Sequence, residues 1–347
     1  NENRFVGSTQ TVARMPARRQ HATGCRSGVE RRHWLLASAA ALAGCDRGVT
    51  SPPPAVLHMA MDLWAGYFPV LLAIELGMMA ERGLTVDVTM PGNTDRMMAE
   101  FAAGRYDIVG MALADLVNLT RGAHDVQVFI HSDESSGGDK LLSRAGFDPA
   151  GGRVIVGTNL GGFGELFVRE YLLRHGIDDG RVVWMNVDAA DVPLALKRRE
   201  IDIGHTWDPY ASAALADGAV QRFSSAQTPG LVMDVLATRR SVVERRFAEL
   251  KGFAAAWFQA QQWWAERPAE GDARLARRLD RSPEWVAEAR RGVKLADLAA
   301  NRRLLGAGGQ PPTMAATVAR YSDFFLARGT LTRPLQPERL LRADLLP

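Results

Sequence analysis

The stretch Leu84-Thr85-Val86-Asp87-Val88-Thr89-Met90 alternates apolar and polar residues at every step, and its reading decides the fold. A period of two places Leu84, Val86, Val88 and Met90 on one face of a strand and the polar residues on the other. Upstream lie a short apolar strand at Leu57–Met61 and a helix over Tyr67–Met79, with Gly77 in its last turn and Gly83 beyond it. Downstream, a helix over Thr94–Ala103 is stopped by Gly104, and strands follow at Tyr106–Met111 and Val126–His131. The βαβα order resumes with a strand at Arg153–Gly157, a helix from Gly164 to His175, a strand at Val182–Val187, a helix capped by Asp191 and a strand at Asp202–Thr206. Such alternation favours a parallel, doubly wound sheet covered by helices on both faces. Beyond Glu244 the pattern turns helical, over Phe253–Glu266, Pro283–Arg291, Leu295–Leu305 and Met314–Arg328, and no strand is expected there.

The first 44 residues are a different kind of sequence. Arg31-Arg32-His33 precedes the apolar run Trp34 to Ala43, which leads into Gly44-Cys45. At 10 residues the run is too short to span a bilayer, which takes about 20, but fits the ~7–15 of a secretory h-region. Residues 1–44 are therefore read as an export signal and residues 45–55, with Pro52, Pro53 and Pro54, as a tether. The signal carries seven arginines against Glu2 and Glu30, a net of +5; the whole chain is +3, which leaves −2 for the remainder. The basic excess thus lies in the leader, and the mature chain offers no polybasic surface for nucleic acid. Of the two cysteines, Cys25 lies in the leader and Cys45 at its end, so neither a disulfide nor a thiolate metal site is expected. The remaining 300 or so residues suffice for two domains.

In open α/β sheets, ligands sit outside the carboxyl ends of the strands, which singles out five stretches. Asp62-Leu63-Trp64-Ala65-Gly66-Tyr67-Phe68 offers aromatics beside a glycine, and Asp133-Glu134-Ser135-Ser136-Gly137-Gly138-Asp139 offers hydroxyls and backbone donors. Leu160-Gly161-Gly162-Phe163-Gly164 opens a helix, whose free N–H groups and positive dipole end suit an anion. Thr206-Trp207-Asp208-Pro209-Tyr210 and Pro229-Gly230-Leu231-Val232-Met233-Asp234 complete the set. Each has an ordinary reading as well: Trp64 and Tyr67 as core, Ser135 to Asp139 as a solvated turn, Asp208 and Asp234 as caps. The glycines fit neither G-x-G-x-x-G nor G-x-x-x-x-G-K, and no G-x-S-x-G or H-E-x-x-H occurs, so no catalytic residue, cofactor or metal is expected. His131 and His205 fall at strand ends and are read as structural, and Trp263-Trp264 as packing against a lobe or closing the cleft edge.

Read in order, these stretches resemble the solute-binding proteins of bacterial nitrate, sulfonate, taurine and pyrimidine-precursor importers, which have the type II periplasmic binding fold. The matches are Trp64-x-Gly66-Tyr67-x-Pro69 with Ala73 and Gly77, Gly104-Arg105-Tyr106-Asp107-Ile108, Asp133-x-Ser135-x-Gly137-x-Asp139, Trp207-Asp208-Pro209, and Pro229-Gly230 with Asp234-Val235-Leu236. The resemblance implies two doubly wound α/β lobes with a helical C-terminal tail, residues 56–132 plus 228–347 forming one lobe and 133–227 the other. It implies a non-enzymatic, monomeric receptor that traps a small solute by hinge closure and passes it to an ABC permease with its ATPase subunits. The cleft would be lined by Trp64, Tyr67, Ser135, Ser136, Gly137, Asp139, Gly162, Phe163, Trp207, Asp208 and Asp234. Leu42-Ala43-Gly44-Cys45 resembles a lipoprotein processing site, which implies lipidation of Cys45, and Asp46 resembles a signal for retention at the inner membrane on the periplasmic side. Arg31-Arg32 also resembles a twin-arginine export motif, as an alternative to the general secretory route. Where sulfonate and nitrate binders place a hydroxyl residue, this chain has Gly161-Gly162-Phe163, which makes a flat ring held by stacking an alternative to a small anion. A ligand-sensing regulator and an enzyme of pyrimidine-precursor metabolism share the fold; the latter carries a cysteine cluster that this sequence lacks.

Overall fold

The computed structural model describes residues 55–121 and 125–347. The expected export signal and the first 10 residues of the expected tether, Cys45 among them, lie outside the described residues. The chain enters as β1 (Ala55–Ala60), α1 (Phe68–Glu75), β2 (Leu84–Thr89), α2 (Thr94–Ala102), β3 (Ile108–Ala112), α3 (Leu113–Thr120) and β4 (Val126–Ser135). It continues with β5 (Lys140–Ser143), β6 (Val154–Thr158), α4 (Phe163–Arg174), β7 (Val182–Asn186), α5 (Val192–Lys197), β8 (Ile203–Thr206), α6 (Tyr210–Ala216) and β9 (Val220–Ser224). Then come β10 (Met233–Arg239), α7 (Arg240–Glu266), α8 (Pro268–Leu279), α9 (Pro283–Arg291), β11 (Val293–Leu295), α10 (Leu298–Leu305) and α11 (Ala315–Ala327).

Two sheets result. The first has the order β11-β4-β10-β3-β1-β2 and the second β7-β6-β8-β5-β9. The alternation of Leu84 to Thr89 is that of an edge strand: β2 pairs only with β1, its apolar residues turn inward and Thr85 and Asp87 are exposed. The central strands β3 and β10 are almost continuously buried and carry no alternation. Both sheets are mixed rather than wholly parallel. β1, β2 and β3 run parallel, but β10, returning from the second sheet, inserts antiparallel between β3 and β4. In the same way β5, arriving from the first sheet, lies antiparallel between β8 and β9. Each crossing between the sheets thus delivers a strand that runs against its neighbours.

One structural feature corrects the sequence reading of the tail. Val293–Leu295 is a strand, paired antiparallel with Asp133–Ser135 of β4, and the helix expected from Leu295 begins at Leu298. Its start is fixed by Asp297, whose carboxylate accepts from the Ala300 amide at 2.7 Å. Three residues are too few to display a period of two, so sequence alone does not mark this strand.

A large core joins the first sheet to α1, α7 and α11, with Phe68, Phe129, Phe253, Trp257 and Phe325 fully buried. The second sheet is covered on both faces. Leu141 enters a cluster with Val156, Phe167 and Tyr171, whereas its neighbour Leu142 enters another with Val192, Ile201 and Ala211. Adjacent residues of β5 thus feed opposite cores, as a doubly wound sheet requires. Trp264 packs against Phe68, 6.5 Å between centroids, and donates to Asp272; with Trp263 it belongs to the helical layer and not to the cleft described next.

Candidate functional site

A cleft opens where the strand ends of the two sheets meet. Its first wall comes from the segment after β1, which supplies Asp62, Trp64 and Tyr67, and from the end of β3, with Met111 and Ala112. Thr94 at the start of α2, Asp115 in α3 and Asp234 at the start of β10 join them. Asp139, Phe163 and Trp207 come from the β5 start, the α4 N-terminus and the β8 end. The space is narrow, with about 30 Å³ open to a water-sized sphere, room for about two waters. A solute larger than that enters only if the sheets separate.

Contacts across the mouth hold this closed arrangement. Asp188, after β7, accepts from the Thr94 amide at 3.2 Å and from Asn93 Nδ2 at 3.3 Å. Asn159 Nδ2 donates to Asp95 Oδ1 at 3.2 Å, and Arg328 pairs with Glu165 at 2.6 Å. Asn93 caps α2, its Oδ1 accepting from the Arg96 amide, and Asp188 adds a carboxylate from the opposite sheet at the positive end of that helix.

The chemistry of the lining is acidic and aromatic. Asp62, Asp115, Asp139 and Asp234 line the space, and Asp133 stands behind Trp64. Their side-chain partners among the described residues are Thr94 on Asp62, the Phe163 amide on Asp115 at 2.6 Å, Trp64 Nε1 and Ser132 on Asp133, and Tyr67 OH on Asp234 at 2.5 Å. Asp139 bonds His205 Nε2 at 2.9 Å. Burial, reinforced by Asp188, pushes the Asp62 carboxyl up to about 6. Burial likewise pushes Asp115 and Asp133 up to about 7. Asp234 is raised well above the usual carboxylate range by burial and by Asp133, and the buried Tyr67 phenol beside it is also raised. Phe163 and Trp207 lie 6.2 Å apart and tilted, with His205 edge-on to Phe163 at 5.0 Å. Trp207 Nε1 is buried without a protein partner among the described residues.

Of the residues singled out from sequence, Trp64, Tyr67, Asp139, Phe163, Trp207 and Asp234 come together here. The others are engaged elsewhere. Ser135 Oγ shares a hydrogen bond with Ser225 Oγ at 2.7 Å, the Gly137 amide donates to the same oxygen, and the Ser136 and Gly138 amides donate to the Gly292 carbonyl. The donors expected to meet a ligand thus tie the crossing segment to the turn after β9 and to the tail. Asp208 pairs with Lys140 at 2.8 Å in a neighbouring depression and caps α6 through Ser212. The α4 N-terminus is not open to an anion as the sequence suggested. Asp115 occupies the Phe163 amide and Glu165 the Gly161 amide at 3.0 Å, and a Cβ on Gly162 would fall 2.1 Å from Asp115 Oδ1. Sequence reasoning missed Asp62, Thr94, Met111, Ala112 and Asp115 as lining. Asp62 lay within a stretch read for its aromatics; Asp115 offered no signal, because α3 itself was not expected.

Residues 50–279 match the model of the NMT1-like family. YtlA of Bacillus subtilis, which carries the name of a binding protein, is 24% identical over 235 residues, 64% of this chain and 69% of YtlA. Among solved structures, the ligand-binding component of an ABC-type import system from Staphylococcus aureus superposes with a TM-score of 0.69 at 11% identity, covering 84% of this chain and 97% of that one. The aliphatic sulphonate binding protein SsuA from Escherichia coli gives 0.64 at 15%, with 84% and 99% covered. The nitrate-binding protein NrtA from Synechocystis gives 0.64 at 14%, with 84% and 86% covered. At such identities the likeness speaks for the fold, which is that of the periplasmic binding proteins. With two thirds of its length matched by the family model, the chain belongs to the NMT1-like family.

Proposed function

We propose that this protein is the solute-binding component of an ABC importer, acting as a monomer and without chemical turnover. Its lobes are residues 56–132 plus 228–347 and residues 133–227, and a small solute is captured between them. The observation that carries the reading is the cleft itself: strand ends of two sheets converge on one narrow space, and the walls are bridged by polar contacts that hinge motion can break. The similar structures named for an ABC-type import system and for binding sulphonate and nitrate support the same role. Of the two solute classes considered, the lining favours a flat aromatic compound over a bare sulfonate, taurine or nitrate. Four aromatic side chains face the space, and the helix N-terminus suited to an anion is filled by Asp115.

Delivery would require a permease and ATPase subunits in the cytoplasmic membrane. Lipidation at Cys45, after removal of residues 1–44, would hold the receptor near them on the periplasmic side. No helix among the described residues is long and apolar enough to cross a membrane. Anchoring is tested by labelling cells with a radioactive fatty acid: the wild-type chain takes up label and a Cys45→Ala chain does not. Function is tested by incubating the purified protein with a solute that stabilises it and analysing what is recovered. The proposal expects unchanged solute; conversion to a product overturns it.

A further inference from the structure

The importer-receptor reading leaves the charge of the solute open, and the cleft bears on it. Five carboxylates converge: Asp62, Asp115, Asp139 and Asp234 on the surface of the space and Asp133 behind Trp64. Among the described residues, no lysine or arginine lines it. The hydrogen bonds that reach these carboxylates come from hydroxyls, an indole, a backbone amide and the His205 ring. Lys140, at the rim, is already bound to Asp208, and Arg328 and Arg169 are bound to Glu165. A buried carboxylate without a cation is costly, and several together repel one another.

Glycines show that this crowding is built into the chain. A Cβ on Gly66 would lie 1.6 Å from Asp133 Oδ2, and one on Gly162 would lie 2.1 Å from Asp115 Oδ1. Neither glycine has the left-handed backbone that would otherwise require it. Gly162 leaves room for an acid to reach the cleft, and Gly66 for one directly behind its lining. Aromatic faces complete the lining, and Trp64, Tyr67, Phe163 and Trp207 favour a cation over their rings.

We propose that the solute is an organic cation, a flat ring bearing a protonated amine, amidine or ring nitrogen, and that the cleft rejects anions. Resting on the receptor reading, this names the ligand class of the same site. The empty cleft keeps protons on part of its carboxyl set; a bound cation takes their place and the protons leave to solvent. Other groups share the environment. Tyr67 faces Asp234, Glu134 follows Asp133, and Asp95 and Asp188 stand at the mouth. His131, bonded to the Asp234 carbonyl, is held neutral by burial, and His205 is bonded to Asp139. The alternative, neutral carboxyls donating to an anion, predicts the opposite pH dependence.

The test is titration calorimetry of the mature protein with benzamidinium, benzamide and benzoate, three compounds of one shape and different charge, together with nitrate. Benzamidinium should bind at least about tenfold more tightly than benzamide, and benzoate and nitrate less tightly than either. Its affinity should rise between about pH 5 and pH 8, by up to tenfold per pH unit for each proton released. In Asp62→Asn the preference for benzamidinium over benzamide should shrink. If benzoate or nitrate binds best, or if benzamidinium binding does not strengthen with pH, the cationic assignment falls and the receptor reading stands. If none of the four binds at millimolar concentration, both fall.

Discussion

Asp115 shows how much of the site is decided one residue at a time. Its carboxylate reaches the Phe163 amide 48 residues away and turns a helix end that could hold an anion into part of an acidic wall. Gly162 makes the approach possible. Gly162→Ala should therefore force Asp115 or the α4 start to move, at a cost of about 1–3 kcal/mol, read as a lower denaturation midpoint. Gly152→Ala, where the added methyl meets nothing within 4 Å, should change the midpoint by less than about 0.5 kcal/mol. Equal effects would mean that Gly162 is not making room for the acid. Trp64, Tyr67 and Phe163 stand out in the sequence as aromatics close to glycine after strands, and Trp207 as an aromatic at a strand end. Asp115, in Leu113-Ala114-Asp115-Leu116, carries no signal of its own until the fold places Phe163 against it.

At the scale of elements, legibility followed length and patterning. β2, with its alternation, and α9, with Ser282 as cap and Pro283 at its first position, lie where the sequence puts them. β5, β9 and β11 are short strands whose existence depends on partners distant in sequence, and they left no signal. α3 and α8 were missed as well; α8 follows α7 almost directly, with Pro268 at the break. Nothing local in the sequence indicated that β10 would run against β3 and β4, since the reversal is a consequence of the chain crossing between sheets. The α2 start carries a prediction of its own. Because Asp188 accepts from Asn93 and from the Thr94 amide across the cleft, Asp188→Ala should cost about 1 kcal/mol of closed-state stability. That loss should appear mainly as faster solute dissociation in stopped-flow measurements. An unchanged dissociation rate would mean that this contact does not hold the cleft shut.

For the whole molecule, the raised carboxyls have a consequence that needs no ligand. A folded-state pKa above the unfolded value means that the folded chain keeps protons the unfolded chain has shed, so the stability tied to them is full below about pH 4. It is lost as the pH rises through about 6 for Asp62 and about 7 for Asp115 and Asp133. His131, lowered to about 4, acts in the opposite sense between about pH 4 and 6.5 and no further. From about pH 6.5 to 8, calorimetry of the empty protein should therefore show a falling melting temperature; a rise across that window would contradict the buried acidic cluster.

On the proposed reading, the solute binds in the cleft between the sheets. The most direct test of this is calorimetric titration, with a solute that stabilises the wild-type protein, of Trp207→Ala beside Trp263→Ala, whose side chain belongs to the helical layer. Loss of the Trp207 indole should weaken binding by about 2 kcal/mol or more, at least roughly thirtyfold, while the Trp263 variant binds as the wild type does. Binding that survives in folded Trp207→Ala at wild-type strength would contradict the account.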